Sequence, residues 1–261
     1  MTADRDKDFP WWLVAVALLG AAAFAAVLAD EAQARVLATL LKGVRITVFV
    51  TLVAFLLAVL LGMGIALMSL SGRLVLRQVA RFYTEIVRGI PILVLLLYVA
   101  FVLAPGLVVA ANWLLGVVGA EPLRVRDFSL LWRAIIALTI GYSAFIAEVF
   151  RAGLLSVDPG QIEAAKALGL GRWHRFRFIV LPQAIRTILP PLGNDFVAMV
   201  KDSSLVSVLG VLDVTQLGKV TAAGNFRYFE TYNVVALIYL TMTIGLSLAL
   251  RRLEARLRSR P

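Results

Sequence analysis

The sequence predicts an all-α polytopic membrane protein with about six transmembrane helices, and three observations predict it. Hydrophobic residues make up 61% of the 261 positions and the mean hydropathy is +0.90, against about 45–50% apolar residues in a soluble domain. The excess lies in uncharged runs, and about 20 such residues are enough to cross the hydrocarbon of a bilayer. Basic residues fall between or beyond those runs, more of them on one side of the resulting map than on the other.

The runs follow in order. Phe9 to Ala29 is uncharged and forms the first span; it is too long for the apolar core of a signal peptide, although small residues near Ala25–Ala29 leave a cleavage site conceivable. Ile46 to Gly72 forms the second span, with Gly62 and Gly64 permitting close helix contact. Gly89 to Ala120 is uncharged and too long for one crossing; Pro105-Gly106 is expected to divide it, giving a span from Ile86 to Leu103 and an apolar external segment beyond. Leu131 to Phe150 is the fourth span, with Glu148 three positions before Arg151 on the same face. The fifth, Leu189 to Leu212, is weak by hydropathy because Asp195, Lys201 and Asp202 interrupt it, and Thr231 to Leu250 is the sixth. The chain thus divides into residues 1–30 (N-terminal segment and first helix), a transmembrane core 31–253 and a basic tail 254–261.

Net charge is +10, from 26 Lys and Arg against 16 Asp and Glu. With the N-terminus inside, seventeen basic residues fall on the cytoplasmic side and eight outside, Lys201 lying within a span. Both termini are then cytoplasmic, and the clusters Arg151–Arg186 and Arg251–Arg260 obey the positive-inside bias. Arg81 and Arg88 read as inside anchors of the third span. Trp11, Trp12, Trp132, Tyr232 and Phe9, near span ends, fit interfacial belts. No basic helix or aromatic-and-basic stripe suggests nucleic-acid binding. With no cysteine, disulfide and thiolate chemistry is excluded, and the single histidine, His174, cannot make a metal site alone.

The longest inside loop, Arg151 to Arg186, is full of helix signals. Asp158 can cap a helix, Pro159 suits its first position, and Gln161 completes a capping-box-like spacing. Good helix formers follow to Leu168, and Gly169 can end the helix in a left-handed conformation. A short surface helix Pro159–Leu168, a turn at Gly169-Leu170-Gly171 and an amphipathic stretch Trp173–Leu181 are expected, with Pro182, Pro190 and Pro191 marking breaks. Such a helix could lie on lipid headgroups or serve as a rigid knob for a partner; the residues alone leave both readings open.

Glu163-Ala164-Ala165, Gly169 and Ile179-Val180-Leu181-Pro182 stand at the offsets EAA-x3-G-x9-I-x-LP. This resembles the cytoplasmic loop of ABC importer permeases. The stretches Tyr83–Pro91, Ala147–Gly153, Gly160–Ala165, Leu181–Arg186 and Lys201–Leu205 resemble the polar amino-acid uptake subfamily, and the likeness runs from about Leu37 to Leu253. Residues 105–130 look longer than the compact family core needs, and Ser203 stands where threonine is more usual.

The resemblance implies a type I ABC importer permease in a bacterial inner membrane. Two such subunits, identical or related, would form the path. Separate cytoplasmic ATPases would use ATP and Mg; this chain would bind no cofactor and would not itself be an enzyme. An extracytoplasmic binding protein would deliver a polar or charged amino acid, docking on residues 30–44, 105–130 or 213–230. The loop 153–182 becomes the coupling element, with Gln161, Glu163, Ala164, Ala165, Gly169, Arg172 and Arg175 at the ATPase contact, lipid phosphates being the alternative partners of the two arginines. Tyr83 and Glu85 would lie near the inner gate.

Unpaired charge is costly in lipid, so Glu148, Asp195, Lys201 and Asp202 should face protein, water or one another. They either pair structurally, Glu148 with Arg151 and Lys201 with an aspartate, or line a substrate path with Asn194, Ser203 and Ser204 adding hydrogen bonds. Pro190-Pro191 and the polar patch after it suggest an irregular fifth span. Rival classes are an ion-coupled secondary transporter or channel subunit, to which intramembrane Lys and Asp are suited, and a membrane enzyme. The latter would need a motif such as HExxH, GxSxG or a P-loop, all absent, or two of Asp195, Asp202 and Asp213 acting as a dyad.

Overall fold

The computed structural model describes residues 11–119 and 121–258, and every described regular element is helical. The charged N-terminal segment, with Arg5, Lys7 and Phe9, and the end of the tail, with Arg260, lie outside the described residues. In chain order the helices are α1 (Trp11–Ala29), α2 (Glu31–Ser69), α3 (Leu74–Gly89), α4 (Ile92–Tyr98), α5 (Ala104–Val117), α6 (Leu130–Leu155), α7 (Pro159–Ala167), α8 (Arg172–Arg175), α9 (Leu181–Asp202), α10 (Val214–Asn225) and α11 (Tyr228–Arg258). A π-helical turn, Val99–Leu103, joins α4 to α5, so Ile92–Val117 is one continuous helix. Among the described residues five helices are long and apolar enough to cross a membrane: α1, α2, Ile92–Val117, α6 and α11. α9, expected as the fifth of six spans, is not among these five; polar as the sequence leads one to expect, its 22 residues reach about 33 Å.

Helices in lipid gain nothing from hiding apolar surface against one another; they associate by close packing and internal hydrogen bonds. α6 is the central post, with 67% of its membrane window buried against 6% for α1. Leu138 and Ile146 are fully covered by neighbours. α2 lies along α6 where Gly62 allows backbone contact: a Cβ there would sit 2.9 Å from the Ser143 carbonyl. Nearer the start of α2, a Cβ on Gly43 would lie 2.6 Å from the Val214 backbone nitrogen and 2.8 Å from the Asp213 carbonyl oxygen. Leu37 and Leu40 pack there with Val214, Val234 and Val235.

Four boundaries differ from the sequence reading. α2 begins at Glu31 and not near Ile46, so the expected external segment 31–44 is helical. Asp30 caps it, accepting from the backbone N–H groups of Gln33 (3.2 Å) and Ala32 (2.7 Å), which hold its carboxyl below the ordinary carboxylate range. The third apolar run breaks at Gly89-Ile90-Pro91 and continues helically through Pro105-Gly106. Within the π turn Ala104 donates to Val99, five residues back; the same register would bring the Ala100 carbonyl to position 105, where proline has no N–H. Arg133 supplies the missing donor, its Nη1 lying 2.9 Å from the Ala100 carbonyl. Its Nε reaches the Phe128 carbonyl at 2.9 Å and its Nη2 the Val125 carbonyl. α9 runs without interruption through Pro190 and Pro191; the irregular backbone starts later, as a 3₁₀ stretch from Ser203 to Leu209. Finally, much of 213–230 is the helix α10.

Candidate functional site

The break between α3 and α4 opens a cleft of roughly 500 Å³ against α6 and α9. α3 ends because residue 91 is proline, which disfavours helical backbone at Ile90. Arg88, at the last turn of α3, therefore stands at the rim of the opening, its guanidinium carbon 5.5 Å from the centroid of Phe145. α9 presents Asp195 and Asp202 from the other wall, seven residues apart and so on one helical face. The Tyr142 hydroxyl donates to Asp202 Oδ2 at 2.7 Å. Asp195 Oδ2 is buried and accepts no hydrogen bond from the described residues. Ile92, Leu95 and Ala198 complete an otherwise apolar lining. Such a site offers one cation and two anionic acceptors in a space the size of a small polar molecule.

The expected path residues separate. Asp195 and Asp202 share the cleft. Asn194, one position round the helix, is exposed and absent from its lining. Lys201 faces a separate pocket of about 230 Å³ with Trp12, Ser247 and Arg251, the last stacked over Trp12 at 6.0 Å. Ser203 is buried and donates to the Val200 carbonyl at 2.7 Å, and Ser204 is half-buried outside the cleft lining. Glu148 pairs with Arg151 at 2.7 Å and lies towards the α7 end of the bundle. Arg88, Tyr142 and Phe145 are the functional candidates that sequence reasoning missed. For Arg88 the available signal was its position directly before Gly89-Ile90-Pro91, where a charge cannot be followed by more helix.

The loop after α6 folds as its capping signals dictate. Asp158 Oδ1 accepts from the Gly160 N–H at 2.7 Å and Pro159 opens α7. At the other end Gly169 adopts φ +75°, the Gly169 N–H bonds to the Lys166 carbonyl (2.9 Å), and the Leu170 N–H to the Ala165 carbonyl (3.0 Å). That pair of bonds is the Schellman arrangement, which needs a residue free of left-handed strain. Glu163 and Ala164 are exposed, Ala165 is buried, Arg172 is exposed and Arg175 half-buried. Gln161 departs from the expected capping box: its side-chain oxygen accepts from Gln183 Nε2 at 2.6 Å, joining α7 to α9. Gln183 also donates to the Ile179 carbonyl at 2.9 Å, in a π turn, Phe176–Val180, that precedes Pro182. The helical stretch after Gly171 thus runs directly into α9 instead of forming a separate surface element.

A family profile described as binding-protein-dependent transport system inner membrane component matches residues 54–259. This chain belongs to that family. The glutamine transport system permease protein GlnP of Escherichia coli K12 is 34% identical over 219 residues, covering 84% of this chain and 93% of its own length. The probable amino-acid permease protein YxeN of Bacillus subtilis strain 168 is 37% identical over 223 residues, with 85% and 92% coverage. A solved structure described as an amino acid ABC transporter with histidines superposes with a TM-score of 0.69 at 37% identity, covering 84% of this chain and 94% of that one. An inward-facing MetNI methionine ABC transporter chain, 22% identical, shares the fold with a TM-score of 0.65. The fold class is therefore that of type I ABC importer permeases, and the chain is a multi-pass inner-membrane component.

Proposed function

We propose that this permease subunit carries a polar amino acid across the membrane within an ATP-driven ABC importer. The observation that carries the reading is the cleft: Asp195 with a free buried oxygen, Asp202 oriented by Tyr142, and Arg88 on the opposing element. An α-amino acid always brings an ammonium and a carboxylate. The first suits the aspartates and the second suits Arg88, each contact being charge-assisted. The names of the similar permeases support this over an ion-coupled carrier or channel.

In this reading α7 is the coupling helix and both termini are cytoplasmic with it. ATP and Mg are used by separate ATPase subunits that receive Glu163, Ala164 and Gly169, while the present chain catalyses no reaction. A second permease subunit completes the path, and an extracytoplasmic binding protein delivers the ligand at the end opposite α7, where the α1–α2 turn, residues 121–129 and α10 lie. Arg172 and Arg175 stay available to acidic ATPase residues or lipid phosphates.

The test is uptake in proteoliposomes holding permease, ATPase and binding protein, with labelled glutamine first and a panel of amino acids after it. Asp195→Asn and Arg88→Gln are each expected to lower uptake at least about tenfold, the loss of one charged hydrogen bond. Uptake that persists without the ATPase, or is untouched by both substitutions, would refute the reading.

A further inference from the structure

A second cavity, of about 390 Å³, lies beneath the cleft on the α7 side, and Arg88 lines both. Its lining is polar. α3 contributes Arg77, Arg81, Glu85 and Arg88, and α6 contributes Glu148 and Arg151. On a helix the spacings 4, 8 and 11 from Arg77 return to nearly the same face, so these four charges form a stripe about 16 Å long that climbs to the cleft. Some of the charge is already committed. Arg151 is bonded to Glu148 at 2.7 Å, and Arg77 Nη1 is held by the carbonyls of Ser71 (3.0 Å) and Gly72 (2.9 Å). Arg81, Glu85 and Arg88 have no ion-pair partner among the described residues.

A free cation and a free anion one helical turn apart, beside a cavity joined to the cleft by a shared arginine, are suited to one ligand class. That class is a zwitterionic head group carrying a carboxylate and an ammonium. Four arginines against two glutamates would also attract a bare phosphate, but phosphate leaves Glu85 without a partner, whereas a zwitterion satisfies both Arg81 and Glu85. We propose that this cavity is an exit subsite for the transported amino acid. Its carboxylate passes from Arg88 to Arg81 as its ammonium moves from the aspartates to Glu85. The inference rests on the amino-acid reading of the cleft and on the α7 end facing the cytoplasm. Because the subsite recognises only the invariant part of an amino acid, it acts alike on every substrate, whereas the cleft also meets the side chain.

The test uses the complete transporter in proteoliposomes, with glutamine as probe on both sides. Initial uptake of labelled glutamine is measured against rising unlabelled glutamine sealed in the lumen, on the α7 side. Rebinding at the exit subsite makes internal glutamine inhibitory. Arg81→Gln and Glu85→Gln should each slow uptake, and should raise the half-inhibitory internal concentration about tenfold, the effect of one charged contact. A merely structural role would not move that concentration. Both side chains are exposed, so the substitutions leave the bundle intact. Asp195→Asn is run in parallel to separate the two readings. If Asp195→Asn abolishes uptake while both exit variants keep wild-type uptake and wild-type internal inhibition, the exit subsite is wrong and the cleft stands. If Asp195→Asn is silent, the cleft reading itself has failed. A shift seen only in vesicles containing phosphatidylglycerol, and absent in neutral phosphatidylcholine, would assign the cavity to a lipid phosphate and overturn the proposal.

Discussion

Arg133 offers the sharpest test of how the outer part of the bundle is held. The side chain is only 6% exposed, and its partners are the carbonyls of Ala100, Phe128 and Val125. Replacing it by Gln leaves at least two of these without a donor. Each unsatisfied buried carbonyl costs about 1–3 kcal/mol, so Arg133→Gln should destabilise by about 3 kcal/mol. For a chain of this size that corresponds to a fall of about 6–12 °C in the melting temperature, read by fluorescence-detected size exclusion after heating in detergent. The decisive variant is the double. Pro105→Ala returns an N–H to the position facing the Ala100 carbonyl, so it should recover about 1 kcal/mol in the Arg133→Gln background. In the wild-type background Arg133 already fills that role, and the same change should recover less. A double-mutant cycle measures that difference. Additive effects, or an Arg133→Gln protein as heat-resistant as wild type, would refute the claim that Arg133 replaces the proline's missing donor.

Two further predictions concern the elbow. Gln183→Ala removes the bonds to Gln161 and to the Ile179 carbonyl, each worth about 1 kcal/mol. The uptake obtained per ATP hydrolysed should fall several-fold, with the melting temperature lowered by about 4–8 °C, and an unaltered ratio would discard the link. Glu163→Lys reverses an exposed charge on α7. Uptake should drop at least about tenfold while membrane insertion is unaffected; normal uptake with normal ATPase association would remove Glu163 from the contact.

Much of this was legible in the chain. Long apolar runs announce the spans because the bilayer has one thickness. Asp158, Pro159 and Gly169 announce α7 because capping is local chemistry. What failed was non-local. Pro105 reads as a break, yet the π turn before it shifts the register and Arg133, far along the chain, satisfies the carbonyl left over. Pro91 looks no different in sequence and does end a helix. Residues 31–45 read as an external segment because Arg35, Lys42 and Arg45 interrupt the apolar run, yet the face bearing Val36, Leu37 and Leu40 is buried on α10 and α11. At the site, charge inside a span identified Asp195 and Asp202, and their seven-residue spacing marks a shared face. Arg88 resembled any other boundary arginine until the helix break placed it opposite them. Lys201 drew attention as a further charge in the span and Asn194 as a neutral hydrogen-bonding neighbour, but both point elsewhere, since neighbours on a helix are turned by about 100°.

The two signs of charge in the cleft are mounted on separately anchored elements. Arg88 belongs to α3, which is pinned to α6 where the Tyr83 hydroxyl meets the Ile140 carbonyl at 3.2 Å and the Ser143 hydroxyl at 2.7 Å. Asp195 and Asp202 belong to α9, whose base is tied to the elbow by Gln183–Gln161 and to the end of α6 by a Ser156–Thr187 hydrogen bond of 3.2 Å. Ile188 packs so closely over Gly153 that a Cβ there would lie 2.2 Å from it. These contacts all sit at the α7 end of α9, while the aspartates lie further along the helix. In the proposed reading a displacement of α7 would be passed along α9 to Asp202, where it works against the Tyr142 hydrogen bond to α6, and the distance from the aspartates to Arg88 would change with it. An ammonium and a carboxylate held at fixed separation within one ligand cannot follow that change. On the proposed amino-acid reading, tilting α9 would weaken one of the two contacts, so that a push on α7 would loosen a ligand that α7 never touches.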